Sequence, residues 1–181
     1  RRYIRPEYSV RQLLVEHTHF NDPEKREHIR RLLIRAAQQK TIPIVNYNDP
    51  VSDEENRKME LAIRRSHGDQ VVECVDNDET AAVIANLVHA KKLVLMTSTE
   101  GIYRDPADPK TLVEQVTAKS MEELEEKVRQ LQESCVGASR AGANGAKAKL
   151  EYALKSARQG TMVIIGHARH RLSDLVEGRV A

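Results

Sequence analysis

The chain has 181 residues, with 29 Lys+Arg against 27 Asp+Glu and a net charge of +2. Such a balance builds no strong field for a polyanion, and aromatics at 3% with no Trp leave no base-stacking surface, so no nucleic acid partner is expected. At 40% hydrophobic and 31% charged the composition is that of a soluble globular protein, and no apolar run approaches the roughly 20 residues of a membrane span.

Taken in chain order, the opening "RRYIRPEYSV" lacks the apolar core of a signal peptide. "VRQLLV" at 10–15 reads as a first strand. A helix follows, with Asp22 as N-cap, Pro23 at its first position and Ile29, Leu32, Leu33 and Ala36 on one face. Its Arg26, Arg30, Arg31 and Arg35 alternate with Glu24 and Glu27 and read as a solvated face. "IPIV" at 42–45 is the next strand, and it runs into the polar cluster Asn46, Asn48 and Asp49. The charged stretch 52–70 reads as a surface excursion, and "VVECV" at 71–75 as a strand. A helix is expected over about 77–90, with Asp76 and Glu79 at capping-box spacing.

"KLVLMT" at 92–97 is a further strand, and Gly101, Pro106 and Pro109 exclude regular structure from the turn after it. Ser120 and Glu123 predict a second capping box, ahead of a stripe of Met121, Leu124, Val128 and Leu131. "GASRAGANG" is a small-residue loop leading into a helix at about 145. "TMVIIG" at 161–166 is a last strand and "RLSDLVEG" a short closing helix. Alternation of this kind predicts an α/β fold, a three-layer αβα sandwich with a mostly parallel sheet, in a single domain over 1–181. Cys74 and Cys135, far apart and without CxxC spacing, read as free thiols in a reducing cytosol.

Ligands of open α/β sheets sit outside the carboxyl ends of the strands. Three strand ends here are polar: "NYND" after 42–45, "DND" after 71–75 and "TSTEG" after 92–97. Each has a plain structural reading as well, as a turn or a helix cap. The loop before the helix at 145 would offer backbone N–H groups to an anion, with Lys149 near the start of that helix. Gly137 and Gly142 have the glycine spacing of a P-loop, but Ala143 and Asn144 stand where it requires Lys and Ser/Thr, which excludes a Walker-type site. His167 and His170 have loose metal-ligand spacing with no Cys or carboxylate beside them in sequence, and read as surface residues.

In order, these elements resemble the amino-acid kinase family, and within it the glutamate 5-kinase branch. "PIVNYND" is similar to its P-I-I-N-E-N-D strand end, and "VDNDETAAVIANLVHA" to its G-D-N-D motif and the helix after it. "LMTSTEGIYRDP" is similar to L-L-T-D-x-x-G-L-Y with its Asp-Pro turn, and "GANGAKAKLEYALKSARQGTMVIIG" to G-x-G-G-M-x-T-K-L and the following strand. The resemblance runs from about Ser9 to Ala181. It implies that Asn46, Asn48, Asp49 and Asn77 bind the amino-acid substrate, and that Thr97, Ser98, Gly145 and Lys149 hold the nucleotide. Asp78 and Lys149 would be the catalytic residues, with ATP and Mg²⁺ as the cofactors and no further metal site.

The implied reaction is phosphorylation of a side-chain carboxylate of glutamate to an acyl phosphate, the first step of proline biosynthesis, in a cytoplasmic homo-oligomer. The sequence departs from the pattern at Tyr47 (Glu in the family), Val75 (Gly) and Ser98 (Asp), and it reads Asn144-Gly145-Ala146-Lys147-Ala148-Lys149 for Gly-Gly-Met-x-Thr-Lys. Nothing before Ser9 resembles the family's Lys-bearing first strand, Gly-rich loop or Ser-Gly motif. The expectation is the C-terminal two-thirds of a kinase domain, inactive as residues 1–181 alone. Two other readings stay open: a member phosphorylating another small acid or a nucleotide monophosphate, and a non-catalytic regulatory homologue.

Overall fold

Short β-branched runs separated by capped amphipathic helices form parallel strand pairs here, as that alternation dictates. The computed structural model describes residues 4–47, 77–105, 107–135 and 145–180. The chain divides into two compact units, Arg1–Thr80 and Ala81–Ala181.

In the first unit β1 (Ser9–Val15) lies parallel to β2 (Thr41–Tyr47), in register from Ser9 opposite Thr41 to Val15 opposite Tyr47. The crossover carries α1 (His17–Asn21) and α2 (Pro23–Gln38). Asp22 caps α2 as expected: its Oδ1 accepts the N–H groups of Glu24 at 2.9 Å and Lys25 at 3.1 Å, and Pro23, which has no N–H, takes the first turn. Ile29, Leu33 and Ala36 are buried, whereas Leu32, on the flank of the stripe, is 39% exposed. Helix α1 has no periodic signal in the sequence, because its five residues are too few for one. The Glu16 N–H donates to His19 Nδ1 at 3.1 Å, and the short helix buries Phe20. Partners in a parallel pair share a face; on one face of this sheet Val10, Leu14, Ile42 and Ile44 all remain exposed.

The second unit begins within α3 (Asn77–Leu87) and continues through β3 (Lys92–Thr97), α4 (Met121–Ser134), α5 (Gly145–Ala157), β4 (Met162–His167) and α6 (Leu172–Val176). β3 and β4 are parallel, with Lys92 opposite Met162 and Thr97 opposite His167. Ala82 and Ala85 of α3 pack with Leu93 and Leu95 of β3 in one buried cluster. A second joins Ile102, Val128, Leu131 and Leu150. Burial of a side chain such as Leu150 contributes about 2 kcal/mol. Ser120 Oγ accepts the Glu123 N–H at 3.2 Å, which is half of the expected capping box. Glu123 Oε2 instead takes the N–H of Lys119, one residue earlier, at 2.8 Å.

The turn after β3 is mostly irregular, as its Gly and Pro content requires, but it is not wholly so. A 3-10 turn covers Pro109–Thr111, and Tyr103 bridges Leu112 in antiparallel fashion. The fold is α/β with parallel strands. Among the described residues these strands form two pairs, where the sequence predicts a single mostly parallel sheet; the strand expected at 71–75 and the Asp76 cap lie outside the described residues. Among the described residues no helix is long and apolar enough to cross a membrane.

Candidate functional site

Because β3 and β4 run parallel and in register, their last residues, Thr97 and His167, lie side by side. α5 returns to β4 through four residues and packs against it, so the two run in opposite directions. Each is about 20 Å long by residue count, which brings the start of α5 to the same edge as the ends of the two strands. Gly145 opens that helix at a φ of 64°, a left-handed conformation glycine adopts without a Cβ penalty. The second unit therefore gathers Thr97, Ser98, Gly145 and the first turns of α5 at one edge. Ser98 is exposed, Thr97 and Gly145 are half-buried, and Lys149, one turn into α5, is half-buried.

The two strand-end turns are tied to each other. The Ala168 N–H donates to the Thr97 carbonyl at 2.8 Å, continuing the ladder past β4. Within the first turn, Thr99 Oγ1 donates to the Gly101 carbonyl at 3.1 Å. Glu100, in that turn, pairs with Arg169 and, at 2.8 Å, with His170 Nε2, both from the turn after β4. The hydrogen bond from His170 holds the Glu100 carboxyl below the usual carboxylate range, and the nearby Arg169 charge acts in the same direction. His167 Nδ1 accepts the Arg169 N–H at 2.9 Å.

In sequence, His167 and His170 read as a surface pair, and no motif marks Glu100 or Arg169. The signal was present: "HARH" is a fourth polar run directly after a predicted strand. Among the described residues no group of three or more His, Cys, Asp or Glu could hold a metal ion.

The remaining predicted residues belong to the first unit. Asn46 is the next-to-last residue of β2 and exposed. Asn77 is the first residue of α3 and exposed, and Asp78, half-buried, follows it in the first helical turn. There a carboxylate interacts favourably with the positive end of the helix dipole. Asn48 and Asp49 lie outside the described residues.

A cavity of about 680 Å³ also opens in the second unit, with a largely apolar lining that includes Leu131, Leu150 and Ala153 on one side and Leu175 and Val176 on the other. Its size suits a small molecule. Thr97, Ser98 and Lys149 do not line it, whereas Glu100 and Gly101 of the turn after β3 do.

Comparison with known proteins bears on that edge. The sequence pattern of the amino acid kinase family matches residues 5–167. A glutamate 5-kinase of Geobacillus kaustophilus is 29% identical over 175 residues, covering 95% of this chain and 41% of its own length. One from Shewanella woodyi is 30% identical over 169 residues, covering 92% and 40%. One from Alkaliphilus metalliredigens is 28% identical over 173 residues, covering 93% and 57%. The chain spans about two fifths to three fifths of the length of these curated relatives.

Proposed function

The chain belongs to the amino acid kinase family, and from that premise we propose that it phosphorylates the side-chain carboxylate of glutamate with ATP. The observation that carries this reading is that the relatives named glutamate 5-kinase match it along nearly its whole length. The gathering of Thr97, Ser98 and the start of α5 at one strand edge supports it, since a helix N-terminus and hydroxyl donors suit phosphate. In this reading residues 1–181 form part of a single kinase domain.

The reaction asks little covalent work of the protein. A carboxylate oxygen of glutamate attacks the γ-phosphorus, the bond from that phosphorus to the β,γ-bridging oxygen breaks, and ADP leaves with the electron pair. The product is an acyl phosphate. The nucleophile is already ionised at neutral pH, so no strong base is needed, and positioning with charge stabilisation supplies the catalysis.

In this assignment Asn46, Asn48, Asp49 and Asn77 hold the amino acid, with Asp49 on its ammonium group. Thr97, Ser98 and Gly145 hold the nucleotide, and Lys149 stabilises charge on the transferring phosphoryl oxygens. Asp78 orients the catalytic lysine. Mg²⁺ would screen the phosphate charge. The proposal includes a cytoplasmic homo-oligomer working in proline biosynthesis.

The test is ATP-dependent formation of γ-glutamyl phosphate by the full-length protein, trapped as the hydroxamate. Lys149→Ala is expected to lower kcat by about 100-fold or more. Tyr47 and Val75, which depart from the pattern of the branch, favour a second reading with another small acid or a nucleotide monophosphate as acceptor. ADP release with such an acceptor and none with glutamate would replace the first reading. Failure to bind ATP at all would point to a non-catalytic regulatory homologue.

A further inference from the structure

The Glu100 cluster has no role in the function proposed above, yet it joins the two turns at the candidate nucleotide edge. Glu100 follows Ser98 by two residues, in the same turn. Its carboxylate takes two partners, Arg169 and His170, from the turn after β4. Glu100 and His170 are each about three-quarters shielded, at 25% and 21% side-chain exposure, whereas Arg169 is 64% exposed. The Arg169 turn is fixed in its own right by His167 Nδ1, which accepts the Arg169 N–H, and by the Ala168 N–H on the Thr97 carbonyl.

We infer that Glu100 is a positioning residue for nucleotide binding: by clamping Arg169 and His170 it holds the turn that carries Thr97, Ser98 and Thr99 in its binding geometry. The inference rests on the nucleotide assignment of Thr97 and Ser98 made above. Its physical basis is that the turn is irregular, with Ser98 and Thr99 exposed, and is tied only locally by the Ala168 N–H on the Thr97 carbonyl and by Thr99 Oγ1 on the Gly101 carbonyl. Thr97 Oγ1 and Thr99 Oγ1 lie 3.5 Å apart, too far for a strong hydrogen bond between them. A carboxylate bonded to Arg169 and His170 on the neighbouring turn adds a constraint from outside the turn, because hydrogen bonds to a charged group are the stronger kind. Holding the hydroxyls in place before the ligand arrives removes an ordering cost from binding.

The experiment uses the full-length protein with Mg-ATP, with affinity read by calorimetry and the KM values for ATP and acceptor read separately. Glu100→Gln keeps the shape and an acceptor oxygen while removing the charge. It is expected to weaken ATP binding by about fivefold or more and to leave the acceptor KM unchanged. Arg169→Gln is expected to weaken it similarly, and the double variant to be no weaker than the worse single, because the two act through one contact. His170→Gln, which retains a donor, serves if Glu100→Gln fails to fold, and should show a smaller loss of the same kind.

Unchanged ATP affinity in these variants, alongside a lowered melting temperature, would make the cluster a purely structural latch and overturn the inference. Additive losses in the double variant would overturn it too. If the unaltered protein binds no ATP, the nucleotide assignment falls and this inference with it; if it binds ATP and the variants bind equally well, only the inference falls.

Discussion

Gly166 tests whether the floor of the candidate edge is packed as described. It lies in β4 immediately before His167, and a Cβ there would approach Leu175 Cδ2 to 2.5 Å, with Leu175 Cδ1 and Cγ at 3.6 Å. Only the end of one leucine must move, but Leu175 is 3% exposed. Its short helix is held by Lys92 Nζ on the Val176 carbonyl at 2.5 Å and by Arg179 on Asp174 at 3.0 Å. Forcing such a side chain off its rotamer and overpacking its site costs about 2–3 kcal/mol. Against this, the added methyl group contributes about 0.8 kcal/mol of burial. Loss of glycine's freedom in the unfolded chain contributes about 0.5 kcal/mol more.

Gly166→Ala should therefore destabilise the protein by about 1 kcal/mol, the steric cost less the two gains. In a Leu175→Ala background the clash is gone while both gains remain, so the same substitution should stabilise by about 1 kcal/mol. Urea unfolding of the four proteins of the cycle, followed by circular dichroism, reads both values. The sign change is the decisive result. If Gly166→Ala has the same effect in both backgrounds within about 0.5 kcal/mol, the described contact between β4 and α6 is wrong.

Three further outcomes follow from local chemistry. Ser156 Oγ is fully buried with no hydrogen-bond partner among the described residues. Ser156→Ala should accordingly raise stability by about 1 kcal/mol, and a loss of that size would mean the hydroxyl is satisfied. Ser120→Ala removes the acceptor for the Glu123 N–H at the start of α4 and should cost about 1 kcal/mol by denaturant unfolding, with Ser120→Asp retaining most of it. Glu27 accepts from Arg30 first and Arg31 second, which lowers its pKa from 4.5 to about 2. A carboxyl depressed in the folded state contributes stability that is present above its unfolded pKa and lost as pH falls toward the folded one. The stability difference between the protein and Glu27→Gln should then shrink between about pH 4.5 and pH 2, and high salt should reduce it throughout, since these groups are exposed. A difference independent of pH would remove the ion pairs from the account.

The fold was legible wherever one local rule sufficed. Asp22-Pro23 and Ser120 marked helix starts because an N-cap needs only an acceptor and a chain that can turn. Val10–Val15 and Lys92–Thr97 were visible as strands because apolar runs of that length between turns have few other uses. α1 was not visible, because five residues hold too few turns for a period and its start rests on a contact between Glu16 and His19. Helical period alone puts Leu32 on the buried face; what covers a helix flank is decided by the width of the sheet beneath it, which no helical repeat encodes.

The candidate site was legible in part for a related reason. Thr97, Ser98 and Lys149 each follow a predicted strand end or open a predicted helix, so a rule about sheet edges finds them one at a time. The Glu100 cluster is different. Its carboxylate and its two partners are 69 and 70 residues apart in sequence, and they meet only because β3 and β4 are adjacent and in register. Register is a property of two strands together. A one-residue slip of β4 would carry the turn that bears Arg169 and His170 away from Glu100. The cluster is therefore a sensor of correct pairing as well as a proposed support for the nucleotide turn. Gly166→Ala, which perturbs the strand just before His167, is expected to weaken ATP binding as well as stability, and by less in the Leu175→Ala background. Equal ATP affinity across that cycle would show that the packing beneath β4 and the turn above it are independent.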